Sequence, residues 1–311
     1  PARVTAAAGL LLTGYTGPPE LTASTALTSW VLDPGGALLV LVLGLPYLLA
    51  VRRVRLSGGG WGAGRALGYA AGLLGIVVAT MSFLGVYAHV LFWVTAVQLA
   101  LLVTVVPVLL SLGAPVSLLR TSSPRNGARA DRWLAATPVR LLTFPLVAAA
   151  LVAVVPFAIY YTPVFEASMR SWPVYWLLHA VLVVVGLAFF WPVLSVDGDP
   201  RLPYAALAAV VLLETLVDSV PGIVLWLGTR LIAAGYYLGV ARPWGRSLLS
   251  DQQFGGVMLW GIGEVVGLPL LLLVVVQWVR ADAREAARID AELDLAELER
   301  GRQPRPDDPG A

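Results

Sequence analysis

The sequence predicts an all-α fold, a polytopic membrane protein built as a bundle of seven spanning helices. Three observations lead there. From 66 to 119 the chain passes through two long apolar stretches without one Asp, Glu, Lys or Arg. Only 13% of its 311 residues are charged and 58% are hydrophobic, with a mean hydropathy of +0.80, whereas roughly a quarter of a soluble domain is charged. The remaining charges gather in short connections and at the C-terminus, as expected where a buried ion has no water to solvate it.

A span needs about 20 apolar residues to cross roughly 30 Å of hydrocarbon at 1.5 Å per residue. Seven segments qualify: 35–51, 66–84, 90–112, 141–161, 173–194, 204–227 and 254–279. The first is the shortest, and Trp30, Val31 and Leu32 extend it into the headgroup zone, where Trp is favoured. At the second, Gly64, Gly68 and Gly72 recur every four residues, a groove where a neighbouring helix can approach closely. The adjacent run from Gly58 to Gly62 lacks the preceding strand and the following Lys-Ser/Thr of a phosphate loop, so it reads as a flexible connection.

After Arg280 the chain turns charged and helix-favouring, with Ile289, Leu293 and Ala296 as a narrow apolar stripe. This reads as the seventh helix continuing into the cytoplasm, ahead of a tail, 301–311, with the Pro- and charge-rich composition of disorder. The chain thus divides into an extracytoplasmic N-terminal segment or stub of a preceding helix (1–29), a membrane domain (30–280) and a cytoplasmic helix and tail (281–311). The apolar run 5–13 is too short to span and reads as the stub of a signal peptide or of an earlier helix.

Arginine sets the orientation. Arg52, Arg53, Arg55 and Arg65 lie between the first and second spans, five more between the third and fourth, and Arg280, Arg284 and Arg288 after the seventh. Their excess predicts that these flanks are cytoplasmic, with the N-terminus outside and the C-terminus inside, against a smaller group at Arg230, Arg242 and Arg246. All 21 basic residues are Arg and they are dispersed, which argues against a nucleic-acid partner. The absence of Cys excludes disulfides and thiolate metal sites.

Ionisable groups inside spans are functional candidates because the bilayer penalises them. Here they are His179 in the fifth span, Glu214 and Asp218 in the sixth and Glu264 in the seventh, with Gln98 as a further intramembrane polar group and His89 at the mouth of the third. Glu214 and Asp218, four residues apart, share one helix face, which suits a pair of oxygen ligands or a proton relay, and equally a hydrogen bond to a neighbouring helix. Packing is the simpler use of Glu264. A lone imidazole such as His179 suits copper or zinc but serves as readily as a helix linker. Met81, Met169 and Met258 are scattered and read as apolar filler. No Ser/His/Asp set, zinc spacing or nucleotide loop is present, so the sequence does not predict an enzyme.

Several motifs occur together: Trp30 with Asp33-Pro34; Val106-Pro107 leading to Gly113-Ala114-Pro115; Phe189-Phe190-Trp191-Pro192 leading to Asp199-Pro200-Arg201; Ala241-Arg242-Pro243-Trp244-Gly245 followed by Asp251-Gln252-Gln253-Phe254-Gly255-Gly256; then Glu264 and the Trp278 to Arg288 run. With them, residues 30 to 290 resemble the CtaG family of cytochrome c oxidase assembly proteins, most of all its actinobacterial members. The resemblance implies a seven-helix protein of the bacterial cytoplasmic membrane, needed to mature a haem–copper oxidase and proposed to supply its copper. The family carries a His-x-x-x-His pair at the outer end of the third helix; aligned on Gly113-Ala114-Pro115, those positions are Thr95 and Leu99. Neither a hydroxyl nor an isobutyl group replaces imidazole on copper. The family's fifth-helix His corresponds to His179, although its acidic neighbour is Leu178 here, and a sixth-helix His falls at Asp218.

The resemblance therefore implies the family fold with a degenerate copper site, whose best remaining pair is His179 with Asp218, and copper is the one cofactor it raises. The expected role is an assembly factor or accessory subunit that binds haem–copper oxidase subunits or another membrane complex. Its contacts would be helix faces and the loop residues Arg242, Trp244, Asp251, Gln252 and Gln253. The alternatives are a transporter or channel for copper or another small solute, lined by His179, Glu214 and Asp218, and a structural subunit of a membrane complex. Pro221-Gly222 can break the sixth helix as transport folds require, but no internal repeat accompanies it.

Overall fold

The computed structural model describes residues 15–198 and 201–302, with side chains to residue 293. The expected N-terminal stub at 5–13 and the tail beyond residue 302 lie outside the described residues. A short helix, α1 (Ala23–Thr28), precedes the first span. That span is α2 (Pro34–Leu56), started by Asp33, whose carboxylate accepts the Gly36 N–H at 2.6 Å, and by Pro34 at the first helical position. It runs from Asp33 to the arginines at 52–55, and these define the two ends of the bundle, the Asp33 end and the Arg52 end. The second span is α3 (Ala63–Met81), extended by the short α4 (Phe83–Tyr87).

The third span is not a uniform helix. It consists of α5 (Phe92–Ala100), a π-helical turn (Leu101–Val105) and α6 (Val106–Leu112). Pro107 explains the wide turn: it has no N–H to give and its ring crowds the carbonyl of Val103, so the helix loosens one turn earlier and Val106 N–H reaches Leu101 O instead. The carbonyl of Val103 then faces Gly186, where a Cβ would collide with it and with Pro107.

The Arg-rich connection after the third span is helical rather than a loop, with α7 (Pro115–Ser122), α8 (Pro124–Ala135) and α9 (Thr137–Leu142). The fourth span also departs from expectation. Instead of a straight 141–161, α10 (Pro145–Tyr160) has 16 residues and is followed, after a 65° bend at Pro163, by α11 (Val164–Arg170). Sixteen residues give about 24 Å of helix, short of the roughly 30 Å hydrocarbon core. The fifth and sixth spans, α12 (Trp172–Leu194) and α13 (Tyr204–Leu227), have nearly the expected limits. After α14 (Ala234–Val240), one helix, α15 (Leu248–Arg302), contains the last span and continues through the charged segment.

Among the described residues six helices are long and apolar enough to cross a membrane, and up to seven if the bent α10–α11 pair counts as one. The packing follows small residues. On α3 a Cβ at Gly68 would lie 3.3 Å from Leu112 and one at Gly72 2.9 Å from the backbone of Leu110, so α6 sits in this groove, whereas Gly64 faces open space. Tyr47 and Tyr69 stack at 3.7 Å, and their hydroxyls donate to Gly113 O and Leu43 O, both at 3.0 Å, tying α2 and α3 to the end of α6. A second apolar core joins α10, α12, α13 and α15 through Val152, Phe189, Val211 and Val274. Leu38, Leu41, Leu45 and Leu48 on α2 are exposed, the side a bilayer covers without any need for protein.

Candidate functional site

The polar residues inside the bundle form two groups on different helix pairs. The first lies at the Asp33 end. On α12, Trp172, Tyr175, Trp176 and His179 follow i, i+3, i+4 and i+7 spacing and so share a face. His179 is fully buried, its ring centroid 4.1 Å from that of Tyr175. Neither of its ring nitrogens has a hydrogen-bond partner among the described residues. On the other side, Tyr175 meets the half-buried ring of His89 at 4.9 Å, and His89 also packs on Trp172 at 4.8 Å. The Tyr175 hydroxyl donates to Gln98 Oε1 at 2.9 Å, while Gln98 Nε2 donates to Ala79 O at 2.8 Å. Trp176 Nε1 donates to Asp33 Oδ1 at 2.8 Å.

The two histidines of the chain thus flank one tyrosine. His89 sits outside the spans, where burial pulls its imidazole below the ordinary 6.5 while the Asp33 carboxylate acts in the opposite sense. Tyr175, Trp176 and Asp33 were not singled out as site residues from the sequence, although the helical spacing from Trp172 to His179 was readable there.

Thr95 and Leu99 lie in the same region, on α5, at 0% and 3% exposure. The Thr95 hydroxyl donates to the carbonyl of Ala88, and Leu99 belongs to the main apolar core. No group of three or more His, Cys, Asp or Glu residues is placed to hold a metal ion among the described residues. The donor set does not fit a resident copper ion, which requires several imidazole or sulfur ligands.

The second group lies between α13 and α15. Ser219 Oγ and Trp260 Nε1 both donate to Glu264 Oε1, at 2.7 and 3.0 Å, so Glu264 ties the two helices as a packing group. Asp218 points at Gly263, where a Cβ would lie 2.7 Å from Oδ2. Glu214 is buried at 6% exposure one turn along the same face. The pairing expected between His179 and Asp218 is not formed: the His179 ring packs on Tyr175 with neither nitrogen bonded among the described residues, whereas Asp218 points at Gly263 on α15. Its cause is the order of packing, since α13 lies against α10 and α15.

The five loop residues expected to meet a partner are turned inward. Asp251 accepts the Phe92 N–H at 2.8 Å at the start of α5 and lies 3.5 Å from the Arg242 guanidinium, with both side chains 2% exposed. Gln252 accepts from Ile232 N–H and donates to Arg230 O, at 2.7 and 2.9 Å, and Gln253 donates to Gly228 O at 3.1 Å. Trp244 stands edge-on to Tyr15 and Tyr87, each at 6.1 Å. These residues hold the segment 228–246 onto the Asp33 end of the bundle.

Fold and site together define a polytopic helical membrane protein with two groups of buried polar residues and no metal cluster among the described residues. Residues 45–281 match the family model described as cytochrome c oxidase caa3 assembly factor (Caa3_CtaG), and the chain belongs to that family. The family is one of assembly factors, not of enzymes. The chain is 30% identical over 292 residues, 90% of its length, to the uncharacterized proteins Mb0105 of Mycobacterium bovis and MT0111 of Mycobacterium tuberculosis. It is likewise 30% identical over 276 residues, 86% of its length, to ML1998 of Mycobacterium leprae. The chain spans 42 to 44% of the length of these curated relatives. No solved structure matches it.

Proposed function

We propose that this protein is an accessory or assembly factor for a haem–copper oxidase in the bacterial cytoplasmic membrane, acting through protein contacts rather than through a resident copper ion. The observation that carries the reading is the family match over 45–281, which takes in every span from the second onward. The second half rests on Thr95 and Leu99, which occupy the positions of the family's chelating pair and are engaged in a hydrogen bond and in the apolar core. The arginine excess supports a cytoplasmic Arg52 end and an outer Asp33 end. On that orientation the His89–Tyr175–His179 group lies toward the outer face.

Affinity purification of the protein from host membranes in mild detergent, with metal analysis of the eluate, tests both halves. Oxidase subunits are expected to co-purify, with copper well below one ion per chain. Stoichiometric copper that survives dialysis against a chelator and disappears in His179→Ala would replace the contact reading with a copper site around His179. Absence of every oxidase subunit, with an unchanged oxidase haem spectrum in a deletion strain, would remove the oxidase as partner.

A further inference from the structure

At the Arg52 end a cavity of about 700 Å³ is lined by Arg120, Arg140 and Arg201 together with Asp131, Leu141 and Phe144, within the roughly 300–1,000 Å³ range of small-molecule sites. A smaller cavity of about 280 Å³ continues it past Arg120 and Arg201 to Trp191. Trp191 also borders a third, apolar groove of about 250 Å³, walled by Trp133, Val139, Leu142, Val184, Leu187 and Ala188. A cationic chamber therefore opens beside an apolar slot.

The charges in the chamber are unevenly answered. Arg120 pairs with Asp131 at 2.9 Å. Arg201 donates to Thr143 Oγ1 at 2.7 Å and to Arg140 O at 3.3 Å, which holds two guanidinium-bearing residues side by side. Neither Arg140 nor Arg201 forms a salt bridge among the described residues. Burial first, and then the neighbouring Arg140, pull the Arg201 guanidinium below its ordinary value. The carboxylate of Asp197 is engaged elsewhere, accepting from the Val116 and Ser117 N–H groups and from Trp191 Nε1 at 3.2, 2.7 and 2.7 Å.

Depth decides what fits. Arg140 and Arg201 stand a few residues before Pro145 and Tyr204, where α10 and α13 begin, which is headgroup level. From Trp191 to Val184 the apolar groove follows α12 for about 10 Å into the hydrocarbon at 1.5 Å per residue. Its rim is open, with Trp133 61%, Val184 59% and Leu142 42% exposed. We infer that this end of the protein is a specific site for one anionic phospholipid, its phosphate on Arg120, Arg140 and Arg201 and a section of acyl chain in the groove along α12. Basic pockets between spanning helices hold acidic headgroups in this way.

The test is thermal unfolding of the full chain in neutral detergent, titrated with phosphatidylglycerol, phosphatidylcholine or glycerol 3-phosphate. Only phosphatidylglycerol is expected to raise Tm, in a saturable manner. Arg140→Gln, which removes a side chain with no hydrogen bond among the described residues, should raise the half-saturating lipid concentration about fivefold. Ala188→Phe, which fills the groove, should abolish the lipid effect and leave the arginines in place. Equal stabilisation by both lipids, or unchanged phosphatidylglycerol binding in Arg140→Gln, overturns the site. Stabilisation by glycerol 3-phosphate alone overturns the lipid assignment in favour of a free-anion pocket.

Discussion

Three residues around Tyr175 show how differently buried polar groups behave. Gln98, fully buried, satisfies two partners on two other helices, so Gln98→Leu leaves the Tyr175 hydroxyl and Ala79 O without theirs. The expected loss is about 1–3 kcal/mol, read from denaturant unfolding in detergent micelles. His179, one ring away, is equally buried but has no partner on either nitrogen among the described residues. Replacing such a group by an apolar one of similar size is neutral or stabilising, so His179→Leu should unfold no earlier than the unmodified protein. A drop comparable to that of Gln98→Leu would mean that the ring holds the bundle together. If stability is kept and oxidase co-purification is lost, His179 is retained for use rather than for packing. His89 contributes a pH dependence at this end. Its folded value lies below 6.5 because of burial, so the stability it contributes is complete above 6.5 and is lost as pH falls toward the folded value. Tm of the unmodified protein should therefore fall more steeply below pH 6.5 than Tm of His89→Gln, and parallel curves would exclude the assignment.

Helix crossings carry the next level of specificity. At the α13–α15 crossing, a Cβ on Gly256 would lie 2.6 Å from both Gly222 O and Trp226 N, which are backbone atoms that cannot step aside. Gly256→Ala should accordingly cost about 1–3 kcal/mol by forcing the helices apart. Gly261→Ala, on the same helix with nothing within 4 Å, should be neutral or slightly stabilising because Ala is the better helix former. Equal effects of the two substitutions would show that the close approach is not a feature of the folded protein. The four-residue glycine repeat on α3 was legible in the sequence, and two of its three members do receive α6. The α13–α15 crossing was not, because Gly222 and Gly256 lie far apart in sequence and nothing local reveals that they meet. The π turn before Pro107 and the bend at Pro163 are a related case. The hydropathy of both segments stays high through the break, and only the missing N–H of proline marks it.

For the whole molecule, apolar runs of about 20 residues were enough to locate six of the seven expected spans, because in lipid a helix must close all of its own backbone hydrogen bonds. What hydropathy cannot reveal is which span touches which, and so it left His179 and Asp218 as neighbours when the packing puts them on different interfaces. It also gave no view of the Arg-rich connection as helices α7 to α9 bordering cavities, since a basic surface helix resembles a loop in composition. The orientation of the bundle rests on that basic connection. With no Cys in the sequence, single cysteines can be placed at two exposed positions at opposite ends, Ala23→Cys on α1 and Ala128→Cys on α8. In intact cells a membrane-impermeant maleimide should label position 23 and reach position 128 only after permeabilisation, if the arginine excess sets the topology. Labelling of position 128 alone in intact cells would invert the molecule. It would also carry the His89–Tyr175–His179 group to the cytoplasmic side, away from the outer face on which the arginine excess places it.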